Sequence, residues 1–303
     1  MSFRTVVIKN RAKIETRLNW LVIRAEEEKW INLAEIGVLI VESNACAITT
    51  QALSKLLQHN TNVVFCDEKH QPQGHLSGIY ANHSTSGFVI RQSNWTDEQK
   101  GRVWQEVIKQ KIEWQSKVLD AMFKMDSAEL LRSYIPEVES GDITNREGHA
   151  AKVYFNALFG QDFGRRDVNE TNSALNYGYA IILSNVCRDI VASGYCTQLG
   201  VHHINQYNQF NLASDLMEPF RPLVDMFLLD NIMSIKEDDE ERPKNDFKQK
   251  MSKILSSRVK IQNKEHYLDN AIQIYIRAVL KAVDEPDTEM PVIQNYILEN
   301  REI

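Results

Sequence analysis

The hydrophobic period of the chain changes once, near Trp95, and that change sets the fold class. Before it, apolar residues come in short β-branched runs: Thr5–Ile8, Leu21–Arg24, Ile36–Val41 and Asn62–Cys66. Such runs read as strands. One helical segment, Thr50–Gln58, interrupts them, with Leu53, Leu56 and Leu57 on one stripe. After Trp95, Val103, Val107, Ile108, Ile112, Trp114, Val118, Leu119 and Met122 recur at helical spacing. A block of strands followed by a block of helices predicts an α+β chain of two domains. The expected division is a small β-rich sheet or sandwich over 1–75, a linker over 76–94, and a larger all-helical domain over 95–303. The linker rests on turn formers between residues 70 and 94, among them Pro72, Gly74 and Ser84-Thr85-Ser86-Gly87. The front domain carries no concentrated chemistry and reads as scaffold and assembly.

Within the helical block, Thr96-Asp97-Glu98 opens a long helix reaching about Met125, and a shorter one follows over 127–134. Thr144 with Glu147 three residues later fits a capping box. Glu147 is also in phase with Ala150, Ala151, Tyr154 and Leu158, which would face it inward. One carboxylate cannot easily do both, and spacing alone leaves the two readings open. Another helix spans Asn172–Ala192 and ends at Gly194. From Leu212 a helical pattern runs past Pro219 to Leu228, which predicts a kink beside Glu218. Segments 246–257 and 265–284 complete the set.

Five of the 41 acids form one run, Glu237–Glu241, and the chain's net charge is −6. The remainder is therefore close to neutral, and charge neither supports nor excludes a polyanionic partner. No apolar run approaches the ~18 residues of a membrane span. The N-terminus lacks a signal-peptide core, so a cytoplasmic location is expected. Cys46, Cys66, Cys187 and Cys196 form no Cys-x-x-Cys pair. Reduced thiols are expected rather than a zinc knuckle.

The polar residues set among apolar ones are Glu147, His203, Asp215 and Glu218. Singly, each has an ordinary explanation: a helix cap, a hydrogen-bonded core histidine, or an acid paired with Arg221. Jointly they deliver metal-type ligands from several segments into one helical core. One nitrogen and several oxygens, with no thiolate, suit Mg²⁺ or Mn²⁺. Such an ion stabilises charge on a phosphoryl oxygen and activates a hydroxyl. No Ser or Cys is paired with a base, and no P-loop, His-Glu-x-x-His or Gly-x-Ser-x-Gly motif occurs.

Asn145-Arg146-Glu147-Gly148-His149-Ala150-Ala151, the His203 loop and Ser214-Asp215-Leu216-Met217-Glu218-Pro219-Phe220-Arg221-Pro222 resemble the CRISPR-associated integrase of spacer acquisition, the first of the numbered Cas proteins. The stretch Gln206-Tyr207-Asn208-Gln209-Phe210-Asn211 resembles its type II-A branch. The resemblance implies a metal-dependent DNA endonuclease and integrase, with Glu147, His203 and Glu218 as both catalytic residues and metal ligands. His203 rather than His202 matches, because the family's histidine lies three residues after a glycine, here Gly200. Asp215 matches an auxiliary acid. Many members carry Asp at the third position, so Glu218 reaches one methylene further. The resemblance also implies a bacterial protein that joins captured double-stranded DNA into a CRISPR repeat through 3′-hydroxyl attack. It implies a homodimer that assembles with a small partner subunit into a heterohexamer, alongside other type II adaptation proteins. Arg146 and Arg221 are expected near DNA phosphates. The alternative is that each supports a neighbouring carboxylate. A non-catalytic, DNA-binding assembly subunit of the same complex is the alternative function.

Overall fold

The computed structural model describes residues 4–68, 72–76, 78, 85–233, 250–298 and 301–302. The front of the chain folds as β1 (Arg4–Ile8), β2 (Lys13–Arg17), β3 (Trp20–Arg24), β4 (Glu28–Asn32), β5 (Ile36–Val41), β6 (Ala47–Ile48), α1 (Thr50–Gln58), β7 (Asn62–Cys66) and β8 (Pro72–Leu76). These strands make two four-stranded sheets, ordered β4-β3-β2-β6 and β1-β5-β7-β8. In the second sheet β1, β5 and β7 are parallel and β8 is antiparallel.

One face of that second sheet, through Leu39, Val41 and Val63, packs on Ile14, Leu21 and Ile23 of the first sheet and on Leu56 of α1. Its other face, through Val38, Ile40, Val64 and Cys66, joins the core of the helical part. Strand β5 is therefore covered on both sides. That is why its sequence, Ile-Gly-Val-Leu-Ile-Val, is an unbroken apolar run rather than an alternating one. Polar ties cross the same boundary: Asn62 Nδ2 donates to Ser184 Oγ at 3.0 Å, and Tyr177 Oη donates to Glu42 Oε1 at 2.8 Å.

The segment read as a linker is partly a docked helix, α2 (Thr85–Ser93). Its buried Gln92 donates to the carbonyls of Cys196 and Leu199 at 2.9 and 2.8 Å. Ser86 and Gly87 fall in its first turn, where turn-forming residues are tolerated, and so hid the helix. Then come α3 (Asp97–Ala121), α4 (Met125–Tyr134), α5 (Arg146–Phe159), α6 (Glu170–Ala192), α7 (Asn211–Leu216) and α8 (Arg221–Met233). Helix α3 opens with a capping box between Thr96 and Gln99 and runs through the middle of the helical part against α4, α5 and α8.

The division into a β-rich front and a helical back holds, but the expectation of an all-helical second domain is corrected. Strands β9 (Arg258–Ile261) and β10 (Lys264–Tyr267) precede α9 (Leu268–Asp284), and β11 (Ile293–Leu298) and β12 (Arg301–Glu302) follow it. They form a third sheet, ordered β10-β9-β11-β12. Gln262 and Asn263 take left-handed φ values of 51° and 62°, which closes a two-residue hairpin between β9 and β10. Four-residue strands give too short an alternation to stand out beside the strong helical period of α9. The Glu237–Glu241 run and residues 246–249 of the expected 246–257 helix lie outside the described residues. Within 250–257 the chain makes a 3₁₀ turn at Ile254–Ser256. Among the described residues no helix is long and apolar enough to cross a membrane, and no disulfide joins the four cysteines.

Candidate active site

The start of α5 settles the double reading of Glu147. Asp142 is buried, and its carboxylate accepts the backbone N–H of Arg146 at 2.8 Å and of Glu147 at 3.0 Å. Asn145, in the left-handed region, accepts the N–H of Gly148 at 3.2 Å. Thr144 instead reaches back to the Glu137 carbonyl at 3.5 Å. The capping box does not form, because Asp142 and Asn145 already satisfy the free N–H groups of the first turn. The Glu147 carboxylate turns inward.

The His203 loop is organised by Asp215, which has no solvent exposure. Its two oxygens accept the backbone N–H groups of Val201, His202 and His203 at 2.7, 3.0 and 3.1 Å. Nδ1 of His203 closes on the same carboxylate. A carboxylate behind one ring nitrogen fixes the ring's orientation and leaves Nε2 as the working atom. That hydrogen bond raises the His203 pKa, against the opposing effect of burial; Glu218 and Glu147 add smaller electrostatic contributions in the same direction. Gly200 lets the loop approach. A Cβ there would lie 2.5 Å from the His203 carbonyl oxygen and 2.6 Å from Asp215 Oδ2. His202 faces elsewhere, stacked on Trp104 at 4.3 Å and 4°.

Glu218 sits at a break in the chain. Helix α7 ends at Leu216, a 3₁₀ turn spans Glu218–Phe220, and α8 restarts at Arg221. Pro219 cannot donate the hydrogen bond that would continue the helix, so the kink falls where the sequence placed it. Glu218 is 3% exposed. One oxygen accepts Arg221 Nη1 at 2.8 Å, and the other lies 2.5 Å from the ammonium of Lys111 on α3. That ammonium donates to Glu147 Oε1, also at 2.5 Å. Its contact with Glu218 is an ion pair, and Glu218 Oε2 is left as a buried oxygen without a well-formed hydrogen bond. Burial works to raise the Glu218 carboxyl, but the Lys111 and Arg221 cations outweigh it and hold the group below its ordinary range.

Behind Arg221, the guanidinium lies 4.6 Å from the Tyr179 ring. Tyr179 and Tyr154 both donate to Asp225, the latter at 2.9 Å. Burial pushes the Asp225 carboxyl up from 3.8 to about 6. Between those pH values the folded chain keeps a proton that the unfolded chain releases, so stability falls as pH rises through the window. The total is about 3 kcal/mol. Asp225→Asn is expected to remove this slope: in urea denaturation at pH 4 and pH 7, the variant gains on the wild type at the higher pH.

The structure thus brings Glu147 and Glu218 onto one shared cation. His203 is within electrostatic reach of both, and Asp215 acts behind the histidine rather than beside the two glutamates. Among the described residues no three His, Cys, Asp or Glu side chains close into a cage around one ion. The donor set still suits a hard divalent cation: two carboxylates on a shared positive charge, a buried undonated oxygen and an oriented imidazole. Arg146 and Arg221 each pair with a carboxylate. Arg146 pairs with Glu137 at 2.8 Å and Arg221 with Glu218. A groove of about 370 Å³ opens onto His203, Asn208, Ser214, Glu218 and Arg221. A larger cleft, about 1180 Å³, lies in the β-rich front and contains none of these side chains. Lys111 was missed from sequence. A signal existed, since it continues the buried stripe Trp104, Ile108, Gln115 and Val118 along α3.

Residues 5–263 match the family described as CRISPR associated protein Cas1. The chain is 36% identical over 230 residues to the CRISPR-associated endonuclease Cas1 of Neisseria meningitidis serogroup C (strain 8013), covering 76% of each. Its fold is similar to that of a casposase bound to integration product, with TM-score 0.76, 19% identity, and 96% and 92% of the two chains covered. It is also similar to part of a Cas6-RT-Cas1–Cas2 complex, with TM-score 0.68 and 16% identity over 94% of this chain and 35% of that one. The chain belongs to the Cas1 family.

Proposed function

We propose that the chain is a divalent-metal-dependent DNA endonuclease and integrase that inserts captured DNA into a CRISPR array. The observation that carries this reading is the convergence of Glu147 and Glu218 on one cation beside a histidine held by Asp215, in a chain of the Cas1 family. The names of the relatives support it, since one is a Cas1 endonuclease and a structural neighbour is a casposase with its integration product.

In this reading Glu147, His203 and Glu218 are the catalytic residues and would hold Mg²⁺ or Mn²⁺. The bound ion supplies Lewis acidity to the attacking 3′-hydroxyl and to the phosphodiester it attacks. Nε2 of His203 is placed either to contribute a nitrogen or to move the hydroxyl proton. Asp215 keeps that ring in one orientation. Arg221 holds the Glu218 carboxylate, and Tyr179 holds Arg221. The reaction is a transesterification: the bond from the 3′-oxygen to phosphorus forms, the repeat strand's own phosphorus–oxygen bond breaks, and the leaving oxygen takes a proton.

The assembly follows the same reading: a cytoplasmic bacterial homodimer that joins a small Cas2-type subunit in a heterohexamer, with double-stranded DNA and other type II adaptation proteins as partners. A solved Cas1–Cas2 assembly among the structural neighbours supports the small subunit. One observation favours the alternative, a non-catalytic DNA-binding subunit: Lys111 already pairs its charge with both carboxylates in a buried salt-bridge network.

Metal removal separates the two. With the partner subunit and Mn²⁺, a duplex ending in a 3′-hydroxyl is expected to be joined into a repeat-bearing plasmid, and EDTA is expected to abolish the joining. Joining that persists after chelation contradicts the metal-dependent reading.

A further inference from the structure

We infer that Lys111 is a built-in cation that holds Glu147 and Glu218 together in the metal-free protein and competes with the divalent ion for them. The inference rests on the metal reading above. Lys111 leaves α3 from its buried stripe and is 6% exposed. Its ammonium lies 2.5 Å from one oxygen of each glutamate. A buried lysine is tolerated only when its charge is met, and here two carboxylates from different parts of the chain meet it.

The fit is incomplete. The ammonium is a directional donor, and its hydrogen bond goes to Glu147 alone. Glu218 Oε2 is close enough to feel the charge yet receives no hydrogen bond in a buried position. A metal ion attracts oxygen without that directional demand, so it can satisfy both carboxylates where the lysine satisfies one.

Charge balance points the same way. Glu147 and Glu218 carry two negative charges, and Lys111 and Arg221 carry two positive charges around them. A dication entering this neutral group must displace the ammonium or carry surplus positive charge beside it. Lys111 therefore lowers the affinity of the free protein for metal. Once displaced, its ammonium sits next to the groove with no carboxylate partner, where DNA phosphates are its natural counter-charge.

The test is calorimetric titration of the full-length protein with MnCl₂, without DNA, at fixed pH and ionic strength, for wild type, Lys111→Gln and Lys111→Arg. Lys111→Gln is expected to bind Mn²⁺ on the order of tenfold more tightly than wild type, because a competing unit charge within contact distance is gone. It is also expected to melt lower without metal and to gain more melting temperature from Mn²⁺. Lys111→Arg keeps the charge and is expected to bind no more tightly than wild type. If wild type binds and Lys111→Gln binds no more tightly, the inference is overturned and the metal reading stands. If neither folded protein binds Mn²⁺, both fall. Wild type supplies a readout that does not depend on the variant folding: acylation of the Lys111 amine by a small reagent, followed by mass spectrometry. Labelling is expected to rise severalfold with saturating Mn²⁺, and labelling that Mn²⁺ leaves unchanged overturns the inference.

Discussion

Glu218→Gln is expected to abolish Mn²⁺-dependent strand joining while the chain stays folded. The substitution keeps the shape of the side chain and an amide oxygen for Arg221, and Lys111 keeps its hydrogen bond to Glu147. What it removes is one anionic oxygen donor from the proposed ion. Several kcal/mol of lost charge stabilisation corresponds to at least about a thousandfold loss in rate. Joining assays and thermal melts on the same preparation check it. The variant is expected to melt lower, because one buried charge is lost, yet cooperatively, and to have lost joining. A structural network alone would give the lower melting temperature with joining intact in the folded fraction.

Asp215→Ala is expected to have the largest effect on stability of any single change at the site. Three backbone N–H groups and the Nδ1 atom of His203 converge on this fully buried carboxylate. Alanine leaves those donors facing a space where water has little access, and removing one side of a buried charged network costs about 3–5 kcal/mol. At a few degrees per kcal/mol for a chain of this size, the melting temperature should fall by roughly 10 °C. Joining should vanish as well, because the loop that carries His203 loses what orders it. Asp215→Asn keeps one acceptor oxygen and should lose less stability. A melt of Asp215→Ala that matches wild type would contradict the role assigned to Asp215.

Much of the fold was legible because periodicity reports burial. Strands β1, β3, β5 and β7, helix α1, the long α3 and the kink at Pro219 follow from local pattern, whereas β2, β4, β6 and β8, which are short or rich in polar residues, did not stand out. The hairpin of β9 and β10 did not, since its two four-residue strands are overshadowed by the amphipathic α9 that follows. Glu147 was ambiguous because the capping box depends on more than spacing: Asp142, five residues earlier, takes the Glu147 N–H that the Thr144 hydroxyl would accept in such a box. For Arg146 and Arg221 the sequence left open whether each meets a neighbouring carboxylate, and packing names the partners, Glu137 and Glu218. Lys111 was overlooked because a single lysine in a charged helix usually points to solvent. Its phase with Trp104, Ile108, Gln115 and Val118 placed it on the buried side, and the acids it would meet lie 36 and 107 positions away.

Glu147, His203 and Glu218 are proposed to form one divalent-metal site. Diffraction from Mn²⁺-soaked crystals at the manganese edge tests it most directly. The account predicts one anomalous peak per chain, within about 2.0–2.3 Å of a carboxylate oxygen of each glutamate and of His203 Nε2, with the Lys111 ammonium moved out of its place between them. A peak elsewhere, or none at saturating Mn²⁺ with Lys111 still bridging both carboxylates, would contradict it.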